Sequence, residues 1–104
     1  MRLRRDPYRD VVARQLNLFV EDEADALEEC REKYRLYEQA AREDAEEAYG
    51  DFVDAVETAT EALADMRDRF ARTLDEDAAG VYEDSFNTAV RKRWPELGLE
   101  IENR

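Results

Sequence analysis

Apolar residues recur at helical spacing along most of the chain. A first stripe runs from Tyr8 to Ala48, and between Leu27 and Ala41 its steps are 3, 4, 3 and 4 residues, the heptad spacing of a coiled-coil seam. Asp6-Pro7 predicts a helix start, because Asp caps free amides of the first turn and Pro lacks only an amide that would be unpaired. The acidic run at 21–23 interrupts the stripe, and we expect the first helix to bend or end there.

A second stripe follows Gly50 and consists of Phe52, Val56, Ala59, Leu63, Met66, Phe70 and Leu74. Residues 75–77 and Gly80 break its phase, a last amphipathic segment covers 81–94, and Pro95 stops that segment. The pattern predicts one helical domain over 1–104. Its parts are a basic segment over 1–6, a first helical segment over 7–49, a second over 52–94 with a break near 75–80, and a tail over 95–104.

Gly50 leaves two architectures open. A continuous helix would carry this glycine at a cost of about 1 kcal/mol. A hairpin would use Gly50 as a left-handed C-cap and Asp51 as the next N-cap. If residues whose numbers sum to about 101 face each other, Cys30 meets Phe70, small residues face small ones near the turn, and 81–94 lies beside 7–20 with Trp94 near Tyr8. The pairing favours an all-α, long antiparallel hairpin that turns near Gly50-Asp51.

Some apolar residues lie off the main stripe, namely Phe19, Val20, Tyr49, Val53 and Tyr82. Two long helices have no third layer that would cover them. We therefore expect coiled-coil-like packing and a homodimer that forms an antiparallel four-helix bundle. In the alternative, the long seam pairs with another chain as a coiled coil.

The composition of the chain excludes several classes of fold and of catalytic site. The chain has 104 residues, enough for one domain, and its three glycines and two prolines make an all-β fold implausible. The absence of histidine excludes Ser-His-Asp triads and the common zinc sites. Cys30 is the single cysteine, so no intrachain disulfide forms, and its place on the seam predicts a core residue. Tyr34 and Tyr37 are likewise expected in the core, with their hydroxyls at its edge.

Carboxylates crowd the surface, and pairs such as Glu57 and Glu61 lie one helical turn apart. We interpret them as a solvated face rather than a metal site, because oxygen-rich sites need a geometry that helix-surface carboxylates rarely give. No catalytic residue, cofactor or metal is predicted. The start of the chain has no apolar signal-peptide region, so we expect a cytoplasmic protein without a membrane partner.

Charge is distributed unevenly. Residues 1–20 carry a net charge of +3, residues 21–84 carry −16 and residues 85–104 carry +1, for a total of −12. In the predicted hairpin a basic pole forms at the open end, and it is a candidate site for an anionic partner. Its members are Arg2, Arg4, Arg5, Arg9, Arg91, Lys92 and Arg93. Nucleic acid is not the expected partner, because the net charge is negative and no DNA-binding motif is present.

The tail places apolar residues at Leu97, Leu99 and Ile101, a period of two. Such a segment suits extended docking into a partner. We favour the alternative that it folds back onto an uncovered flank of its own helices.

These features predict a non-enzymatic protein–protein interaction or scaffold protein that acts as a helical homo-oligomer, with a dimer favoured and a further protein partner expected. The alternative is an acidic regulator that associates with nucleic acid or mimics it, since the acidity is either functional or a solubility adaptation. An enzyme using carboxylates and a divalent metal is third.

Overall fold

Five α-helices make up the fold in the computed structural model, which describes residues 6–104. They are α1 at Arg9–Asp22, α2 at Ala24–Gln39, α3 at Ala45–Ala71, α4 at Glu76–Arg93 and α5 at Pro95–Ile101. A 3-10 turn at Arg42–Asp44 joins α2 to α3. The all-α class is confirmed, and residues 6–104 contain no strand. In this part of the chain no helix is both long and apolar enough to cross a membrane.

The helices α2 and α3 form an antiparallel hairpin. Ala40 and Ala41 are both extended, with φ, ψ of −67°, 141° and −66°, 157°, and these two residues turn the chain. The Cys30 thiol donates a hydrogen bond to the Ala55 carbonyl at 3.3 Å, and the rings of Tyr34 and Phe52 lie 5.2 Å apart. Facing residues therefore have numbers that sum to about 85.

The predicted turn at Gly50-Asp51 is wrong. Gly50 lies inside α3, and no glycine in the described residues has a positive φ. A helix tolerates a glycine at about 1 kcal/mol, and the turn ten residues earlier stacks aromatic residues of α2 on aromatic residues of α3. Cys30 consequently meets Ala55 and not Phe70, and the predicted segment 7–49 divides into α1, α2 and the turn.

The predicted interruption at the acidic run is confirmed, because α1 ends at Asp22 and Glu23 separates it from α2. Glu23 has φ −116° and ψ 33°, yet its amide still donates to the Phe19 carbonyl at 2.8 Å. The start of α1 lies two residues beyond the predicted one, and the Asp6 carboxylate accepts from the Tyr8 amide at 2.9 Å. The signals at Asp6-Pro7 and at 21–23 therefore locate both boundaries to within two residues.

The helices α1 and α4 lie side by side and run in the same direction. Tyr8 packs edge-on against Tyr82 with ring centroids 5.6 Å apart, and Phe19 packs against Trp94 at the same distance. The antiparallel arrangement that places Trp94 near Tyr8 is therefore wrong. It assumed two long segments, whereas the break at Glu23 and the turn at 40–44 allow α1 to pack independently.

In the second half of the chain, helices begin and end at aspartate and proline residues. The Asp75 side chain accepts from the Ala78 amide at 2.9 Å and so caps α4, which begins five residues before the predicted 81 and contains Gly80. The break itself lies at 72–75. Pro95 ends α4 as predicted, and it is also the first residue of α5.

The core lies where α1, α3, α4 and α5 meet. Its fully buried large side chains are Phe19, Leu63, Tyr82, Phe86, Val90 and Ile101. Phe19 and Tyr82 were expected to remain uncovered, and that expectation is wrong because α1, α4 and α5 supply the missing layers. Of the other three residues in that group, Val20 and Val53 are half-buried and Tyr49 is exposed. The dimeric bundle stays a prediction.

Gly98 allows α5 to approach α4 closely. A Cβ atom at this position would lie 2.5 Å from the Arg91 Cα and 2.7 Å from its Cβ, which is closer than carbon atoms pack. Gly98 is buried, and on α5 the preceding residue, Leu97, and the residue one turn later, Ile101, enter the core. The missing side chain is therefore what lets α5 seal this end of the core.

Candidate interaction surface

The α2–α3 hairpin projects beyond the core, and we call residues 24–58 the tip hairpin and the remaining described residues the base. The described residues extend over 53 × 31 × 23 Å. Near the turn, four rings form an aromatic cluster that consists of Tyr34, Tyr37, Tyr49 and Phe52. Neighbouring ring centroids in it lie 5.2–6.4 Å apart.

This aromatic cluster faces outward. The exposed fractions of Tyr34, Tyr37 and Tyr49 are 43%, 36% and 50%, and Phe52 is half-buried. The prediction that Tyr34 and Tyr37 are core residues is wrong, because the rings pack on one another across α2 and α3 and the start of α5, which shares a groove with Tyr34, does not bury them. The result is a contiguous aromatic surface of the kind that protein interfaces favour.

An apolar groove continues the aromatic cluster toward the base. It has a volume of about 200 Å³ and lies between α2, α3 and the start of α5. Its lining consists of Leu27, Cys30, Arg31, Tyr34, Phe52, Val56, Trp94, Glu96 and Leu97. Trp94 forms the end nearest the base, and the Arg93 guanidinium carbon lies 4.9 Å from the centroid of its ring.

Cys30 is a packing residue in the wall of this groove. Burial raises the pKa of its thiol, and the neighbouring Glu29 carboxylate raises it further. A thiol held in its neutral form is a poor nucleophile. The half-buried side chain and its bond to the Ala55 carbonyl agree with the predicted packing role.

Carboxylates border the aromatic cluster and the apolar groove. The charge of Glu38 raises the pKa of Tyr34, burial and a hydrogen bond to Glu38 add to the effect, and Glu96 contributes from α5. The one basic side chain that lines the groove, Arg31, is paired with Glu28 at 3.3 Å. The rim is therefore negative beside Tyr34, whereas Arg93 places a positive charge at the Trp94 end.

The predicted basic pole does not come together as the hairpin model required. Arg2, Arg4 and Arg5 lie outside the described residues. Arg9 opens α1, whereas Arg91, Lys92 and Arg93 end α4. Since α1 and α4 run in the same direction, the helical rise separates these two positions by about 15 Å.

Two arginines of the predicted pole have partners within the fold. Arg91 pairs with Glu102, and the Arg93 guanidinium donates to the Asn17 side-chain oxygen at 3.1 Å. A role for these residues in binding an anionic partner stays a prediction.

The predicted docking tail is mostly folded into the base. Leu97 and Ile101 are buried in the core, whereas Leu99 is 71% exposed. The extended interpretation is wrong, because residues 95–101 are helical and the relevant spacing is the i, i+4 step between the two buried residues. The favoured alternative, that the tail folds back on its own helices, is confirmed.

Arg67 is an important residue that the sequence analysis missed. It is 3% exposed, and its guanidinium donates to the Asn87 side chain at 3.0 Å, the Ile101 carbonyl at 3.1 Å and the Arg104 backbone oxygen at 2.7 Å. It also pairs with Asp68 at 2.8 Å. Its position on the apolar face of α3, one turn after Leu63, was an available signal. We assign it to holding α5 on α3.

The acidic surface residues do not gather into a chelating site. Within residues 6–104, no three His, Cys, Asp or Glu side chains are arranged so that they could hold a metal ion. The chain matches no protein-family model, no curated protein and no solved structure. The aromatic cluster and the apolar groove are therefore the features that point to a function.

Proposed function

We propose that this protein is a protein–protein interaction module that binds its partner through the aromatic cluster and the apolar groove of the tip hairpin. One observation carries the proposal: Tyr34, Tyr37 and Tyr49 stay between one third and one half exposed although their rings touch one another and Phe52. Tyrosine and tryptophan are enriched where interfaces concentrate their binding free energy. A contiguous apolar patch in an otherwise charged chain marks a contact surface.

The aromatic surface is also where a homodimer would form. Tyr49 is exposed and Val53 is half-buried on the same helix, so this face retains two of the residues on which the dimer prediction rests. Association through it would bury the tyrosine rings. Light scattering at micromolar concentration measures whether the chain is a dimer.

The test compares variants of two exposed sites. Tyr37→Ala/Tyr49→Ala removes two rings of the aromatic cluster, whereas Leu18→Ala/Val81→Ala removes two apolar side chains that are 51% and 50% exposed on α1 and α4. We expect quantitative pull-down from native host extract to lose its bound protein with the first variant and to keep it with the second. Equal binding by both variants would overturn the proposal. Circular dichroism of both variants verifies that each is folded.

A further inference from the structure

The tip hairpin combines an apolar seam with a strong negative charge. Residues 24–58 contain twelve acidic and four basic side chains, a net charge of −8 in about one third of the chain. Of the four basic residues, three are paired on α2: Arg31 with Glu28, Lys33 with Glu29 and Arg35 with Glu32. The field around the aromatic cluster is therefore set by unpaired carboxylates.

The apolar groove and the aromatic cluster share Tyr34 and Phe52, so they form one continuous apolar surface along α2 and α3. It runs from Trp94 past Phe52 and Tyr34 to the outermost ring pair, Tyr37 and Tyr49, which lie 5.2 Å apart. Between Cys30 and Tyr37 the helix advances by about 10 Å, or two turns. A surface of this kind accepts the apolar face of an amphipathic helix, whose contacts recur at i, i+3, i+4 and i+7.

The negative charge of the tip hairpin favours some binding partners of the groove over others. A second copy of this chain would bring another hairpin of net charge −8 against the first, and a nucleic acid would bring its phosphates. Like charges brought together across an interface cost binding free energy, whereas a complementary charge speeds encounter and fixes the register. Glu96 lines the groove together with Tyr34, and Glu38 lies exposed one turn after Tyr34 on α2, so both carboxylates would meet lysine or arginine at the flanks of a bound helix.

We infer that the apolar groove and the aromatic cluster bind an amphipathic helix of another protein, with an apolar face and lysine or arginine on both flanks. The inference rests on the proposed function and names the chemistry of its partner. The apolar face of the helix covers Trp94, Phe52 and the tyrosine rings. Its basic flanks face Glu38 and Glu96.

The probe is a designed helical peptide of about 18 residues, roughly 27 Å long, without tryptophan or tyrosine. Leucines occupy one face, and the flanks carry lysine and arginine. A matched peptide has the same leucines with glutamine at the flanks. The 104-residue chain has one tryptophan, Trp94, at the end of the groove, so its emission reports binding directly. We expect the basic peptide to bind about tenfold more tightly than the glutamine peptide at low salt.

Two further comparisons separate specific docking from general attraction to an acidic protein. Tyr37→Ala/Tyr49→Ala leaves the net charge unchanged and should weaken the basic peptide at least as much as the loss of its charge. Glu38→Gln/Glu96→Gln should weaken it more than Glu61→Gln/Glu21→Gln, which removes the same charge from two exposed sites on α3 and α1. Light scattering of the protein without peptide reports self-association in parallel.

Failure of the inference and failure of the proposed function give different results. If both peptides bind equally, or if the tyrosine variant binds the basic peptide as well as the unaltered protein does, the basic-helix inference is overturned. A dimer that dissociates in the tyrosine variant would identify a second copy as the occupant, and it would also overturn the inference while the surface remains an interaction site. The proposed function is decided separately, by the pull-down comparison.

Discussion

Two aromatic clusters of similar composition lie at opposite ends of the molecule. In the base, Tyr82 contacts Tyr8, Phe70 and Phe86 with ring centroids 4.7–6.0 Å apart. The rings of the tip cluster are spaced 5.2–6.4 Å apart, yet Tyr82 is fully buried and Tyr49 is half exposed. Ring contacts do not themselves remove a side chain from water. The surrounding helices do, since α1 and α3 both pack on Tyr82 whereas Tyr49 packs on α2 at the outer end of the hairpin.

Truncating one ring in each cluster gives the largest expected contrast. Tyr82→Ala should lower the free energy of unfolding by about 3–5 kcal/mol, because it leaves a cavity in a packed core. Tyr37→Ala should lower it by less than about 1 kcal/mol, since most surface substitutions have small effects. Urea unfolding followed by circular dichroism measures both. Equal losses would show that the tip cluster is a folding core, not a surface kept for binding.

Arg67 provides the next largest effect, again within the base. Arg67→Met should lower the free energy of unfolding by about 2–4 kcal/mol, because it leaves the Ile101 carbonyl and the Asn87 side chain without their donor in a buried place. Arg69→Met, two residues along the same helix on an exposed position, is the matched control and should be nearly neutral. Comparable effects of the two substitutions would contradict the role assigned to Arg67 on α5.

Alanine at two glycines should change stability in opposite directions. Gly98→Ala forces a Cβ against Arg91 and should cost about 1–3 kcal/mol by overpacking. Gly50→Ala meets nothing within 4 Å on a helical backbone and should stabilise by about 1 kcal/mol. Thermal unfolding measures both. A destabilised Gly50→Ala protein would restore the left-handed cap, and with it a hairpin that turns at Gly50.

The pH dependence of stability at alkaline pH is the smallest expected effect, and it concerns Tyr82 in the base. Burial raises the pKa of Tyr82 to about 12, and the hydroxyl donates to the Gln15 side chain at 2.8 Å. An unfolded tyrosine titrates near pH 10, so between about pH 10 and 12 the folded state binds more protons and stability falls as pH rises. Its contribution is fully present below pH 10. Melting temperature against pH should therefore be flatter in Tyr82→Phe than in the unaltered protein.

The sequence predicted three helix boundaries from local signals. Asp6-Pro7 locates the start of α1 to within two residues, the acidic run at 21–23 interrupts the helix and Pro95 ends α4, whereas the Asp75 cap of α4 was not predicted. Asp6 and Pro95 act on their own backbone neighbours: the Asp6 carboxylate accepts from the Tyr8 amide, and proline restricts the residue before it. Such signals do not depend on which helix lies opposite.

The pairing of helices was not predictable in the same way. The chain turns at Ala40 and Ala41, although alanine has the highest helix propensity, because tertiary packing of α2 on α3 outweighs that preference. The apolar seam of a helix shows which of its faces is buried, but it does not show which helix covers that face. The interaction surface was missed for the same reason: Tyr34 and Tyr37 occupy seam positions, and only the register with α3 leaves them half uncovered.

Because the chain turns within the tip hairpin, the length of that hairpin is independent of how the helices of the base pack. The base joins residues far apart in the chain, such as Gln15 and Tyr82, which are 67 positions apart, whereas the hairpin joins near neighbours across its own turn. Seven residues added to each of α2 and α3, at facing positions beyond Tyr34, would move the outermost ring pair by about 10 Å and keep both seams on their faces. The length of the hairpin, in steps of seven residues, therefore sets the distance between its outermost rings and the base. The packing of the base stays the same.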